Sequence, residues 1–252
     1  MDTIKKIGFL TFELNDSNTE YYLTSCAKDA NTVTIPLEIE GIAVTKIDNR
    51  AFEDCTNLIS VTFPDDVELQ LRDESFEIGD YAFHRCTSLE TVEVPYGVTS
   101  IGTGAFCDCT ALKTADLPTN WIYVYSYAFY GCTSLESVTE IKYINEGVFS
   151  HCKALTVFPV KDGTEVISED AFYHCYGLVD ITIPASVTTI EPLAFRSCYN
   201  LKQVTFANPE GWRTYNRYTG KTYELDLSDP QRNAEMLSKM DFDDGVGAWR
   251  RS

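Results

Sequence analysis

The residues of this chain with the widest chemical range are its nine cysteines and its three histidines, His84, His151 and His174. His151 and His174 stand directly before Cys152 and Cys175, and the two pairs are 23 residues apart. Brought together in space, a thiolate and an imidazole make a nucleophile with its base, and Cys/His sets are common zinc ligands. Neighbours in sequence usually point apart, however, so neither histidine is placed to serve the cysteine beside it. The two imidazoles can approach each other across adjacent repeats, within bridging reach of a metal, but the cysteines would not join them. Gly102-Thr103-Gly104 lacks the third glycine and the following lysine of a phosphate-cradling loop. The expectation is a protein with no catalytic residue, no cofactor and no metal, and therefore not an enzyme.

What positions these residues is a repeat. Seven of the nine cysteines close the phrase Phe-x-x-Cys-x-x-Leu, at Phe52/Cys55/Leu58, Phe83/Cys86/Leu89, Phe106/Cys109/Leu112, Phe129/Cys132/Leu135, Phe149/Cys152/Leu155, Phe172/Cys175/Leu178 and Phe195/Cys198/Leu201. Successive copies are 31, 23, 23, 20, 23 and 23 residues apart, a period that means a solenoid rather than a compact globule, and so one elongated domain. One cysteine per coil at a fixed phase gives a column of parallel Cβ vectors, which disfavours disulfides, so the column is expected to be reduced and buried. Cys26 and Cys107 lie outside it, and Cys107 is the thiol expected at the surface.

The full repeat runs Leu-x-x-Val-x-Val-Pro-x-x-Val-x-x-Ile-x-x-x-Ala-Phe-x-x-Cys, as from Leu89 to Cys109. It predicts a short strand stopped by proline, a second extended piece, and a tight turn of helical or 3₁₀ type. Alanine at 51, 82, 105, 128, 171 and 194 marks a crowded position beside the central Phe, with Val148 the exception. The 20-residue interval lacks the Pro triplet between Val138 and Ile141. The 31-residue interval carries eight extra residues within Glu68 to Glu77, expected to bulge from one face. Residues 1–32 read as a β-hairpin cap, 33–206 as about seven coils, and 207–252 as a C-terminal cap. That cap holds a hairpin around Tyr218-Thr219-Gly220-Lys221 and a helix begun by Asp229-Pro230, with Ala234, Leu237 and Met240 on one side.

A formal net charge of −18 argues against nucleic acid and anionic membranes, which need a basic footprint. It fits solubility and basic partners. No run approaches the ~18 apolar residues of a spanning helix, and Ile7-Gly8-Phe9-Leu10 is too short for a signal-peptide core. The chain taken alone is expected to be cytoplasmic and monomeric.

Two surfaces are candidates for binding. The outward strand residues form one column of Thr32, Ser60, Thr91, Thr114, Ser137, Val157, Asp180 and Gln203. A second holds Thr34, Thr62, Glu93, Asp116, Thr139, Pro159, Thr182 and Thr205. Solenoids commonly bind with this face, although threonine also simply suits solvated strand positions. The second surface is the aromatic run Trp121, Tyr123, Tyr125, Tyr127 and Tyr130, of which Trp121, Tyr123 and Tyr125 are the expected contacts for a protein or sugar. Packing against the neighbouring insertion is the alternative for that run.

The pattern Ala-Phe-x-x-Cys-x-x-Leu-x-x-Val-x-Ile-Pro-x-x-Val-x-x-Ile resembles the BspA-type (Treponema pallidum-type) leucine-rich repeat, over roughly residues 33 to 206. Residues 171 to 195 match it almost throughout. The resemblance implies an α/β solenoid, a right-handed, gently curved leucine-rich-repeat coil with a parallel β-sheet on one face. It also implies a bacterial protein, secreted or displayed at the cell surface, of a kind whose members include binders of host matrix proteins or other bacteria. The function expected is a non-enzymatic protein-interaction module. A carbohydrate- or mucin-binding adhesin and a purely structural repeat domain are the alternatives.

Overall fold

A computed structural model of the chain describes residues 3–64, 75–95, 97–118, 122–216, 218–239 and 246–251. It divides into two compact units, residues 1–139 and 140–252. The division falls in the short coil that lacks the proline triplet. Most of the insertion read at Glu68 to Glu77 lies outside the described residues, as do Trp121 and Met240.

The first unit opens with a meander of β1 (Ile4–Ile7), β2 (Leu10–Leu14) and β3 (Tyr21–Cys26). After it come β4 (Thr32–Thr34), β5 (Glu38–Ile39), β6 (Ile42–Ile47), β7 (Ser60–Thr62), β8 (Phe76–Ile78), β9 (Thr91–Glu93), β10 (Val98–Ile101), β11 (Thr114–Asp116), β12 (Tyr123–Val124) and β13 (Ser137–Val138). Each coil contributes one strand to each of two sheets. In the first, β4, β7, β9, β11 and β13 run parallel in unbroken register, with Thr32 beside Ser60, Ser60 beside Thr91, Thr91 beside Thr114 and Thr114 beside Ser137. In the second, β3, β6, β8, β10 and β12 run parallel, β2 and β1 continue the sheet antiparallel beyond β3, and β5 pairs antiparallel with β6. Alternation works as the period of two requires: Val33, Val61, Val92, Ala115 and Val138 point inward and are buried, and their neighbours point out.

The Ala-Phe-x-x-Cys turn explains the rest of the repeat. Two residues per coil are left-handed, one before the alanine (Val148 in one coil) and one before the cysteine. The pairs are Arg50/Asp54, Tyr81/Arg85, Gly104/Asp108 and Tyr127/Gly131 in the first unit, and Gly147/His151, Asp170/His174 and Leu193/Ser197 in the second. Bonds of the i to i+3 kind close each turn, as from Glu53 N–H to Arg50 O (3.0 Å) and Cys55 N–H to Phe52 O (3.0 Å). The left-handed residues interrupt them before a helix can propagate. Each costs about 1–2 kcal/mol when it is not glycine. That cost is offset because the turn aims its own N–H groups at the next coil: Phe52 N–H reaches Ala82 O (2.7 Å) and Asp54 N–H reaches His84 O (2.9 Å), and the pattern recurs downstream.

The column cysteines have a specific task in this lattice. Cys86, Cys109 and Cys132 donate their S–H to the carbonyls of Phe52, Phe83 and Phe106, each at 3.1 Å. Cys175 and Cys198 do the same to Phe149 and Phe172. All nine cysteines are free thiols, eight of them buried and Cys107 half-buried. The phenylalanine rings stack in rows inside each unit, with centroids 4.6, 5.0 and 5.3 Å apart from Phe52 through Phe83 and Phe106 to Phe129. In the second unit Phe149, Phe172 and Phe195 stack at 5.7 and 5.2 Å. Phe158 packs beside Phe149 and Phe172 from the flank.

The second unit contains β14 (Val166–Ile167), β15 (Asp180–Ile183), β16 (Thr189–Ile190), β17 (Gln203–Phe206), β18 (Trp212–Asn216), β19 (Lys221–Glu224), helix α1 (Pro230–Ser238) and β20 (Val246–Arg251). Strands β15 and β17 pair in parallel, and β18 and β19 form an antiparallel hairpin. Asp229 caps α1 by accepting from Gln231 N–H (2.9 Å) and Arg232 N–H (3.2 Å). The helix buries Ala234 and Leu237, and Asn233 donates to the carbonyls of Val204 and Leu227, both at 3.0 Å. Strand β20 has no counterpart in the sequence reading, because Gly-Ala-Trp-Arg-Arg carries no clear alternation. It pairs antiparallel with both β16 and β18, which puts Trp249 and Trp212 in the core, both against Phe206.

Candidate functional site

In the first unit the outward residues of the five-stranded sheet make a polar face. Thr34 and Thr62 hydroxyls lie 2.9 Å apart across β4 and β7. Further along the same row Glu93 stands in register with Asp116. Like charges directly opposed on neighbouring strands are destabilising, so this pair concentrates negative potential at a cost to the fold. Thr139 differs from the others: it is half-buried, and its hydroxyl accepts the Leu117 N–H at 3.1 Å. In the second unit Asp180 and Gln203, and Thr182 and Thr205, form exposed registered pairs on β15 and β17. Val157, bridged to Asp180, is 61% exposed.

The aromatic run sits elsewhere. Tyr123 belongs to β12, in the eight-stranded sheet, so it is on a different sheet from the threonine columns. Tyr123 and Tyr125 are exposed with ring centroids 4.6 Å apart, while Ile122 and Val124 between and beside them are buried. Tyr127 and Tyr130 are half-buried and meet edge to face.

Two further groupings bring together side chains from neighbouring coils, the first extending the expected approach of His151 and His174 and the second unforeseen in the sequence. One is a row of rings in the second unit. His151 and His174 stack at 4.8 Å, Tyr173 meets both edge on, and Tyr176 stacks with the exposed Tyr199 at 5.5 Å. His174 Nδ1 is hydrogen-bonded to the Tyr176 hydroxyl, and burial followed by the neighbouring His151 lowers its pKa. The available signal was the slot after the column cysteine, where Tyr176 and Tyr199 recur.

The other grouping is in the first unit, where His84, Cys107 and Asp108 converge with their ligand atoms all within 4.8 Å of one another. His84 Nδ1 is bonded to Glu53 Oε1 at 3.0 Å. That bond, and then Arg50 at 2.7 Å, hold the Glu53 carboxyl below its usual range. Burial and the adjacent Asp108 push the Cys107 thiol up to about 12. At the head of the cysteine column the pKa of Cys55 is lowered chiefly by its hydrogen bond with Cys26, whose own pKa rises correspondingly.

Asp170 is a poorly accommodated carboxylate. Burial, then Glu146, raise its pKa, and Oδ1 is buried with no hydrogen-bond partner. The folded chain therefore holds a proton on Asp170 more tightly than the unfolded chain. Its charge opposes folding above the raised folded-state pKa, and the penalty vanishes as pH falls below the ordinary value of 3.8. Asp170→Asn, which suits the left-handed backbone there (φ 56°), is expected to raise Tm at neutral pH. Thermal melts across pH should show that gain shrinking to nothing in acid; a pH-independent gain would contradict the charge argument.

Strand, proline, extended piece and left-handed turn, repeated with one leucine, one phenylalanine and one cysteine per coil, define a leucine-rich-repeat solenoid. The family described as "BspA type Leucine rich repeat region" matches in six copies, over residues 2–77, 19–139, 76–202 and 139–219. This chain belongs to the BspA-type leucine-rich-repeat family. Among solved structures it is similar to a leucine-rich cell surface protein from Faecalibacterium prausnitzii, at 29% identity and TM-score 0.67, covering 91% of this chain and 60% of that one. The chain thus spans about 60% of the length of that relative. The T. pallidum leucine-rich repeat protein shares the fold at 22% identity and TM-score 0.51, with 78% of this chain and 90% of that one covered. A Bacteroides ovatus leucine-rich repeat protein does so at 21% and 0.52, with 82% and 66% covered. A search of curated proteins returned no match. No helix among the described residues is long and apolar enough to cross a membrane.

Proposed function

We propose that the chain is a non-enzymatic protein-interaction module that binds a basic partner surface through the five-stranded face of its first unit. The observation that carries this reading is the registered Glu93–Asp116 pair on an exposed sheet of small polar residues. A like-charge pair that weakens the fold is most economically explained by a positive group that arrives from outside. The formal charge of −18 supports the same partner class. Family membership supports an interaction scaffold, and the similarity to a cell surface protein of Faecalibacterium supports a surface-directed role, with host matrix or cell-surface proteins as the partner pool. Thr62, Thr91, Thr114 and Ser137 complete the contact face, and Asp180, Thr182, Gln203 and Thr205 are the corresponding positions of the second unit.

A second reading, a carbohydrate- or mucin-binding adhesin, is favoured by the exposed Tyr123 and Tyr125 rings. The test is equilibrium binding of the full chain to basic matrix proteins and to a glycan array. The double variant Glu93→Thr, Asp116→Thr is expected to lose at least about tenfold in protein affinity while gaining a few tenths of a kcal/mol in stability. Wild-type affinity should also fall with salt. Saturable sugar binding lost in Tyr123→Ala and Tyr125→Ala, with no protein binding, would replace the first reading by the second.

A further inference from the structure

The slots between Phe and Cys line up from coil to coil. Backbone bonds from Asp54 N–H to His84 O (2.9 Å) and from Arg85 N–H to Cys107 O (2.9 Å) fix that register, so Glu53, His84 and Cys107 follow one another along a row. In two places the row holds metal-binding chemistry, an imidazole and a thiol, and Asp108 adds a carboxylate beside the thiol. We propose that His84 Nε2, Cys107 Sγ and the Asp108 carboxylate form a three-ligand site for a zinc-class divalent cation, with the fourth position left to water or to a ligand from a partner.

Four features support the assignment. His84 Nε2 and Asp108 Oδ2 are 4.0 Å apart, too far for a hydrogen bond and about half an ångström beyond the roughly 3.3–3.6 Å edge of a tetrahedron built on metal–ligand bonds of about 2.0–2.2 Å, a gap that a small side-chain adjustment closes. The Glu53 carboxylate at His84 Nδ1 fixes the tautomer whose Nε2 lone pair faces the cluster, which is the carboxylate–histidine–metal arrangement of zinc proteins. The neighbouring Arg85 guanidinium is already occupied, since it pairs with both oxygens of Asp54 at 2.7 Å. Behind the site Gly131 leaves room for Asp108: a Cβ there would meet Asp108 Oδ1 at 2.2 Å. A nitrogen, a sulfur and an oxygen select zinc, cobalt or nickel over calcium or magnesium, which take oxygen sets. Binding exchanges the Cys107 thiol proton, released to solvent, for a sulfur–metal bond.

The test uses the full chain, freed of metal by a chelator and kept reduced, with Co²⁺ as the spectroscopic probe. One equivalent of Co²⁺ should produce a sulfur-to-cobalt charge-transfer band that Zn²⁺ abolishes. The band should disappear in Cys107→Ser and weaken in His84→Gln and Asp108→Asn. Glu53→Gln, which touches no metal, should lower Zn²⁺ affinity by about 10- to 100-fold while keeping the band. Metal-free melts of the variants separate binding from folding, and Zn²⁺ should raise the wild-type Tm but not that of Cys107→Ser. A charge-transfer band that survives Cys107→Ser, or no band at all with the wild-type chain folded, would overturn the assignment.

Discussion

Phe106→Ala is expected to destabilise the chain by about 3–5 kcal/mol, the range for deleting a large ring from a core that cannot collapse around the void. Phe106 is fully buried and stacks on both sides, against Phe83 at 5.0 Å and Phe129 at 5.3 Å, so its loss exposes two ring faces at once. Its carbonyl also accepts the Cys132 S–H, and its N–H reaches Ala128 O at 2.8 Å, so the ring fixes the backbone that links three coils. Relaxation is restricted because neighbouring coils are tied to one another by those same bonds. Phe106→Leu should recover a large part of the loss by refilling volume without the stacking. Urea unfolding of both variants provides the measurement. A cost near 1 kcal/mol for the alanine variant would mean that the row of rings is loosely packed.

Gly102→Ala is expected to cost about 3 kcal/mol, at the upper end of what overpacking does, and for a different reason. A Cβ at Gly102 would lie 2.6 Å from Asp80 N and 2.6 Å from Gly79 C, so the clash is with backbone that cannot swing aside. Gly79 has no room to yield, since a Cβ there would itself lie 2.7 Å from Asn49 N and 2.9 Å from Asp48 C, so the strain passes to the next coil. Asp80 also accepts the Thr103 N–H at 2.7 Å, a bond between the same two coils that the displacement would lengthen. Gly41→Ala is the control: nothing lies within 4 Å of its Cβ position, and only its φ of 80° resists alanine, at about 1–2 kcal/mol. Thermal melts should therefore rank Gly102→Ala well below Gly41→Ala, and equal values would remove the close-approach explanation.

Much of the molecule is legible in the residue order. The Phe, Cys and Leu spacing gives the coil and its family, and the strand alternation places Val61, Val92 and Ala115 inside and Thr62, Thr91 and Glu93 outside. The turn is less legible. Its Ala-Phe-x-x-Cys residues are compatible with a helical turn, and only the backbone angles reveal two left-handed residues per coil, at positions filled by arginine, tyrosine, aspartate and leucine as readily as by glycine. Such residues are held there by bonds to the next coil, which local propensity does not report. Strand β20 was silent for the same reason: it is a strand because β16 and β18 supply partners on both sides.

The sequence by itself thus determined the period, the core columns and the outward faces, since these follow from side-chain alternation and from a repeat that cannot bury its faces alone. Only the tertiary structure decided which slots of different coils meet. His84, Cys107 and Asp108 look unrelated along the chain, and His151 with His174 is the pair that draws the eye. The register between coils stacks the second pair ring on ring and turns the first three toward a common point. That register is set by backbone hydrogen bonds between coils, which carry no signature in any single residue.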